Sequence, residues 1–357
     1  MADIVCDVIV LTWNKKDIIE SFVNSFLKNT SVLCRLIIID NASNDNTQEY
    51  LATLKDTPLC TFKIIINKEN KGFVGGMNQG IEISEAPYVC LANNDLLFTK
   101  GWLEEIISVF ESNKNIGILN PNSNNLGTSP AERPKKENSN KFKEMPFCIG
   151  FCMVVKRELL KKIGGFSKEF HPFFFEDTDF SLRAQQAGFL IGVASASYVQ
   201  HHEHASFDEM AKEKEAFFVK SRSAFEKKWG KILRIAWVED NYESLSGDLT
   251  QAVQWARQAN FVTFFTKNTD VNREDIFKSK GIFEHTGVGF KKFGSYFILA
   301  FYILIKKKKF NLVITKNNTL KFILRIFGQK TSCCYDEALI AGIKRFCGDG
   351  GMADTIV

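Results

Sequence analysis

Glu176 and Asp177 stand directly behind the aromatic run Phe173-Phe174-Phe175, and His201-His202 follow downstream. Acids crowded against aromatic rings are costly to bury unless they are paired or used. A carboxylate held there would accept a proton from a hydroxyl, and an imidazole beside it would hold a metal ion. Two further acids, Asp40 and the Asp95 of Asn93-Asn94-Asp95, each close an apolar run.

The hydrophobic pattern supplies elements that would bring these residues to a common edge. Residues 5–11 form a nearly unbroken apolar run with β-branched side chains, as in a strand buried on both faces. Ile18, Ile19, Phe22, Val23, Phe26 and Leu27 then recur at helical spacing, so one stripe faces a sheet. Residues 36–39 predict a second strand ending at Asp40, and residues 62–66 a third. A loop with Gly72, Gly75, Gly76 and Gly80 opens a short helix over 76–83; such glycines let backbone approach a ligand or simply turn a corner. Residues 88–92 predict a fourth strand stopping at Asn93, followed by a helix from Trp102 to Phe110. This alternation implies an α/β fold with a mostly parallel sheet wrapped by helices. Sheets of that kind bind ligands beyond the carboxyl ends of their strands, which puts Asp40 and Asp95 on one rim. Asp40 also fits an Asx-turn into Asn41-Ala42-Ser43, and Asp95 fits a cap ahead of the Trp102 helix.

Farther along, residues 120–140 read as a loop, 147–155 as a strand with Cys148 and Cys152 filling core space, and 157–163 as a helix before the turn Gly164-Gly165. Residues 208–229 predict a charged helix. Beyond residue 240 the motifs thin out. A strand over 261–265, an apolar helix within 293–309 and a strand over 311–315 make one α/β unit without an acid pair or glycine fingerprint. The expected organisation is one domain over residues 1–240 and a smaller α/β extension over 241–357.

Composition narrows the function classes. A hydrophobic content of 45% with 24% charged residues is that of a soluble globular protein. A net charge of only +5, without an Arg-rich face interleaved with aromatics, disfavours nucleic-acid binding. Nine cysteines, an odd number mostly inside apolar runs, suggest a reducing cytoplasm and no disulfide framework. No basic leader followed by an apolar core opens the sequence, so no secretory signal is expected. The apolar run 293–305 falls short of the ~20 residues that span a bilayer. With Lys306 to Lys309 behind it, it reads either as a core helix with cations at its C-terminus or as a peripheral membrane contact.

Six pieces, in this order, carry a family resemblance: residues 8–14 (Val-Ile-Val-Leu-Thr-Trp-Asn), 39–45 around Asp40, 70–78 with Gly72 and Asn78, Asn93-Asn94-Asp95, Gly164-Gly165-Phe166, and Glu176-Asp177. Together they resemble the inverting family 2 glycosyltransferases, which have the fold called GT-A. The likeness runs from about Asp7 to Trp229, and the subgroup it looks most like includes rhamnosyltransferases of bacterial surface polysaccharides.

The resemblance implies transfer of a sugar from a UDP- or dTDP-linked donor to a hydroxyl of a saccharide or lipid-linked glycan. Asp177 would be the general base of a single inverting displacement, with Glu176 orienting the acceptor or the base. Asp40 would accept the ring N–H of uracil or thymine, Thr12 and Asn14 would line the same pocket, and Gly72, Asn78 and Asn94 belong to the nucleotide-binding set. Asp95 and His201 would hold Mg²⁺ or Mn²⁺ on the diphosphate, His201 standing five residues before Ser206 as in related enzymes. Asn93 replaces the first acid of the family's Asp-x-Asp motif, so metal binding is expected to lean on the donor. A zinc site from His201, His202 and His204 lacks Cys or acid ligands at matching spacing.

Two other classes share some of these features. A sugar nucleotidyltransferase should carry a Gly-rich loop near the N-terminus, and residues 8–16 contain no glycine. A silent nucleotide-sugar or carbohydrate binding module has no need to retain Asp40, Asp95, Asp177 and His201 together. The expected location is the cytoplasm, with a peripheral position on the cytoplasmic face of a membrane left open.

Overall fold

A computed structural model of the chain describes residues 3–126, 140–202, 211–240, 248–267 and 272–332. The chain packs as two units: Met1–Lys143 with Phe147–Ala224, and Glu144–Pro146 with Phe225–Val357. The second unit thus takes up the chain ahead of residue 240.

In the first unit β1 (Cys6–Thr12), β2 (Cys34–Asp40), β3 (Cys60–Ile66) and β4 (Tyr88–Ala92) run parallel in the order β3-β2-β1-β4. Helices α1 (Lys16–Asn29), α2 (Thr47–Thr53) and α3 (Gly72–Ile83) connect them. β1 and β2 are buried along nearly their whole length, as their unbroken apolar sequence requires. α1 turns Ile19, Phe22, Val23 and Phe26 onto one sheet face, against Val8 and Val10. α3 covers the other face, and here the glycine stretch departs from the expected loop. It is helical throughout, and a Cβ at Gly76 would lie 2.7 Å from the Leu11 side chain, while one at Gly80 would collide with Ile9. Gly76 and Gly80 therefore set how closely α3 lies on β1 and do not cradle a ligand.

The sheet continues through β5 (Leu96–Phe98), β6 (Ile116–Asn122), β7 (Phe142–Glu144), β8 (Cys152–Lys156) and β9 (Leu190–His201). Helices α4 (Trp102–Ser112), α5 (Arg157–Ile163), α6 (Glu176–Gln186) and α7 (Ala211–Trp229) intervene. β8 enters antiparallel between β4 and β6, β6 pairs parallel with β9, and β5 runs antiparallel to β9. The strand expected over 147–155 starts only at Cys152, because the residues before it turn around a side chain. Asn120, fully buried in β6, accepts from Ile149 N–H at 2.9 Å and donates to the carbonyls of Ile149 and Cys152 at 2.9 and 2.6 Å. Its amide takes the place of strand pairing for that turn.

Register fixes the carboxyl rim of the sheet. Thr12 lies opposite Asp40, Val10 opposite Ala92, Ala92 opposite Cys152, and Leu96 opposite His201.

The second unit is a five-stranded, all-parallel sheet of β10 (Arg234–Val238), β11 (Phe261–Thr266), β12 (Val288–Lys292), β13 (Leu312–Thr315) and β14 (Thr331–Ser332), ordered β12-β11-β10-β13-β14. α8 (Asp248–Ala256) and α9 (Arg273–Ser279) pack on one face with Ile235, Trp237 and Phe264. α10 (Tyr296–Ile305) and α11 (Asn318–Ile326) pack on the other with Val238, Phe265 and Val313. The fold class is the one the sequence implies, an α/β unit with a mostly parallel sheet and a smaller α/β extension. The extension holds more strands than the sequence pattern disclosed. Among the described residues the six cysteines are free and buried, and Cys152 meets Cys90 at 3.7 Å.

Away from the carboxyl rim, Asp7 is fully buried in β1 and accepts from Arg35 Nε at 2.8 Å and from the N–H groups of Glu85 and Ala86 at 2.6 and 2.8 Å. Removing this carboxylate strands a guanidinium and two amides. Asp7→Ala is therefore expected to lower the unfolding free energy by about 3 kcal/mol, read as a shifted urea midpoint.

Candidate active site

The acid pair opens α6. Phe174 and Phe175, the residue before the helix, have φ of 77° and 64°, a left-handed conformation that bulky L-residues avoid. Rings from α7 hold them there: Phe174 meets Phe218 at 5.4 Å, Phe175 meets Phe218 at 5.7 Å, and Phe173 meets Phe217 at 5.5 Å. Glu176 is buried with Oε2 lacking a hydrogen bond. Burial first, and the charge of Asp177 second, push its carboxyl from 4.5 up to about 8.

Asp177 stays half-buried, so a ligand can reach it. Burial raises its pKa, while hydrogen bonds oppose the rise: Oδ2 accepts from Gly150 N at 2.9 Å, and Oδ1 from Thr178 N and Oγ1 at 2.6 and 3.2 Å. The helix N-terminus favours the same charge. Glu176, raised to about 8, thus keeps its proton at neutral pH, while hydrogen bonds restrain the rise at Asp177. Asp179 has a different job. Buried, it accepts from Arg183 Nε at 2.8 Å and Ser167 Oγ at 2.7 Å, and Arg183 donates onward to the carbonyls of Ile163 and Gly165. Asn78 holds the same segment, exchanging hydrogen bonds of 2.9 and 2.8 Å with the Phe166 backbone.

Pairing of β5 with β9 brings Asp95 to His201. Asp95 Oδ1 lies 2.9 Å from His201 Nε2, both side chains nearly buried, yet Oδ1 makes no hydrogen bond. The other ring nitrogen, Nδ1, abuts the Asn125 amide, whose own Oδ1 is buried without a hydrogen bond. Turning that amide over lets Asn125 Oδ1 accept from Nδ1–H and leaves the Nε2 lone pair beside Asp95 Oδ1. One oxygen and one nitrogen ligand, converging with an amide behind the ring, fit a divalent cation. No third His, Cys, Asp or Glu joins them among the described residues, so phosphate and water oxygens would complete the shell. Asn124 fixes the strand here, bonding the His201 N–H and carbonyl at 2.9 and 2.8 Å.

On the first strands, Asp40 is fully buried beneath its turn. It accepts from Ser43 N at 3.2 Å, from Ser43 Oγ, and from Gln48 Nε2 at 2.9 Å. Ser43 in turn accepts from Asn14 N at 2.7 Å, and Asn14 Oδ1 accepts from Asn44 N at 2.9 Å. Thr12 Oγ1 is buried without a hydrogen bond. Asn41 spans to the next loop, donating to Asn70 Oδ1 at 2.9 Å and to the Gly72 carbonyl at 3.2 Å. Gly72 has φ of 64°, and a Cβ there would lie 2.9 Å from His171 and Pro172. Asn94 sits nearly buried between β4 and β5.

Two consecutive residues join these parts. Gly150 donates to Asp177, while the Phe151 ring stacks on His201 at 5.5 Å and its carbonyl accepts from Asn93 N at 2.8 Å. Asp177 and the Asp95–His201 pair thereby share one turn as neighbour, and Asp40 closes β2 at the same rim. His204, Ser206 and residues 127–139 of the expected loop lie outside the described residues. Sequence reasoning passed over Asn41, Asn120 and Asn125, since a single amide aimed inward from a turn or a strand leaves no periodic trace.

Residues 7–164 match the model of glycosyl transferase family 2. The O-antigen chain rhamnosyltransferase WbaN of Salmonella anatum is 26% identical over 195 residues, covering 50% of this chain and 59% of its own length. The UDP-Glc:alpha-D-GlcNAc-diphosphoundecaprenol beta-1,3-glucosyltransferase WfgD of Escherichia coli is 26% identical over 129 residues, covering 34% of this chain and 50% of its own. The chain thus spans between half and three-fifths of the length of these two relatives. A solved mannosyltransferase from Pyrobaculum calidifontis, in complex with GDP-Man and Mn²⁺, is similar at a TM-score of 0.48 and 16% identity, over 63% of this chain and 65% of its own. Residues 7–164, which include β1 to β8 with Asp40 and Asp95 but not Asp177 or His201, are thus similar to a glycosyl transferase family 2 domain.

Proposed function

We propose that this domain transfers a sugar from a nucleoside-diphosphate donor to a hydroxyl of a glycan acceptor, with inversion and with Asp177 as general base. The observation that supports this reading is the Gly150-Phe151 turn, which bonds the reachable Asp177 carboxylate at one residue and stacks on His201, the partner of Asp95, at the next. The acceptor oxygen attacks the anomeric carbon as its proton passes to Asp177, and the bond from that carbon to the diphosphate breaks on the opposite face. Protonated Glu176 supplies an O–H that orients the acceptor or Asp177. Asp95 and His201 would hold Mg²⁺ or Mn²⁺, which when bound neutralises charge gathering on the diphosphate.

A UDP or dTDP donor suits the rim of β1 and β2. Thr12, Asn14 and the Ser43 turn form the base pocket in this reading, with Asp40 holding Ser43 and Gln48 from beneath. Gly72 and Asn94 border the donor, and Asn78 acts through the Phe166 loop. The names of WbaN and WfgD, an O-antigen chain enzyme and one acting on a diphosphoundecaprenol-linked sugar, support a saccharide or lipid-linked glycan acceptor, and a cytoplasmic enzyme working close to a membrane fits such an acceptor. Catalysis is assigned to the first unit, Met1–Lys143 with Phe147–Ala224, which holds every residue named above.

Asp177→Asn should cut turnover of the donor by about 10²–10⁴-fold while calorimetric affinity for the nucleoside diphosphate holds; normal turnover in this variant removes the base assignment. Asn120→Ala should cost about 2 kcal/mol and lower kcat more than it raises KM, because the turn that aims Gly150 and Phe151 loosens. The acid pair also leaves a pH signature. Glu176 titrates near 8 when folded against 4.5 otherwise, so its share of stability is complete below about pH 4.5 and is lost as pH rises through about 8. Glu176→Gln should flatten that decline, measured by urea unfolding across this range.

A further inference from the structure

The second unit presents a surface that the transfer chemistry leaves unused. α10 turns Leu299, Ala300 and Ile303 to its sheet and holds Phe297, Ile298, Phe301 and Ile305 on the opposite side. α11 repeats the arrangement, with Leu320 and Leu324 inward and Phe322 and Ile326 outward, and Phe327 just beyond. These seven outward side chains are between 61% and 69% exposed. Both helices pack into one core on one sheet face, so their outer sides belong to a single layer. Apolar residues scattered singly need no explanation, but a cluster of this size does.

Charge says what would cover it. Residues 291–330 contain ten Lys and Arg and no Asp or Glu. The whole chain has 46 basic and 41 acidic residues, which leaves 36 against 41 elsewhere. A stretch of charge +10 is thus attached to a remainder of charge −5. Lys307, Lys309, Lys316 and Arg325 are exposed. A second copy would bring the same positive face against itself, which opposes self-association. No helix among the described residues is long and apolar enough to cross a membrane, and α10 has ten residues.

We propose that the α10–α11 face docks on an anionic lipid bilayer. Its phenylalanines and isoleucines enter the boundary between headgroups and acyl chains, and the surrounding lysines and Arg325 meet lipid phosphates. This stands apart from the transfer reaction, and its test reads binding alone.

Cosedimentation of the full chain with extruded vesicles provides that test. The chain should pellet with phosphatidylcholine vesicles containing phosphatidylglycerol and stay in the supernatant with phosphatidylcholine alone. Replacing Lys307, Lys308, Lys309 and Lys316 together by Gln should weaken binding on the order of a thousandfold, and added salt should act the same way. Phe297→Ser combined with Phe301→Ser should abolish binding with the thermal melt unchanged, since both rings are exposed. A full chain that ignores anionic vesicles overturns the proposal, whether a second copy or residues 333–357 occupy the face. Pelleting that neither set of substitutions weakens overturns it equally.

Discussion

The arrangement of the first unit rests on the amide of Asn120. An antiparallel β8 inserted between β4 and β6 must begin at the carboxyl rim, so the chain arrives there as a turn with unpaired backbone groups. Asn120 satisfies three of those groups from within the sheet. The turn is then free to spend the Gly150 N–H on Asp177 and the Phe151 ring on His201. Without the insertion, the acid of α6 and the pair from β5 and β9 would have no common neighbour.

That turn also decides the electrostatics. Two adjacent carboxyls at a helix start cannot both ionise cheaply once buried. Asp177 receives the Gly150 and Thr178 hydrogen bonds, which oppose the rise that burial causes, while Glu176 receives none at Oε2 and is pushed up to about 8. The left-handed Phe174 and Phe175 belong to the same economy of space. They force α6 to start at Glu176 rather than earlier, and the rings of α7 offset the strain.

Much of this was legible in the amino-acid order. Long apolar runs such as β1 and β2, and the stripe of α1, announce strands and helices because burial on defined faces dictates their periods. The pairing of Asp95 with His201 could be anticipated only from a likeness to known enzymes. The glycines of α3 misled because sequence does not distinguish close helix–sheet packing from a ligand loop; the collision at Gly80 with Ile9 makes that distinction. In the second unit, the four-residue β13 and two-residue β14 are too short for periodicity to register. Asn120 looked like the start of a polar loop, since nothing local marks an amide that faces inward from a strand.

The contrast between buried groups points the same way as the geometry. Asp7, far from the carboxyl rim, has its carboxylate oxygens taken up by a guanidinium and two amides, the pattern of a group kept for stability. At the carboxyl rim Thr12 Oγ1, Asp95 Oδ1, Asn125 Oδ1 and Glu176 Oε2 are all buried without a hydrogen bond. Each such atom costs stability, so a fold shaped for stability alone would satisfy or remove them. Asn125 Oδ1 meets the His201 Nδ1–H once its amide is turned, and in the reaction proposed above a nucleotide, a cation and an acceptor hydroxyl would supply partners for the other three. Unsatisfied atoms also occur away from this rim, as at Thr61 Oγ1 and His285 Nε2, so it is their position beside Asp177 and His201, not their number, that supports the proposed site.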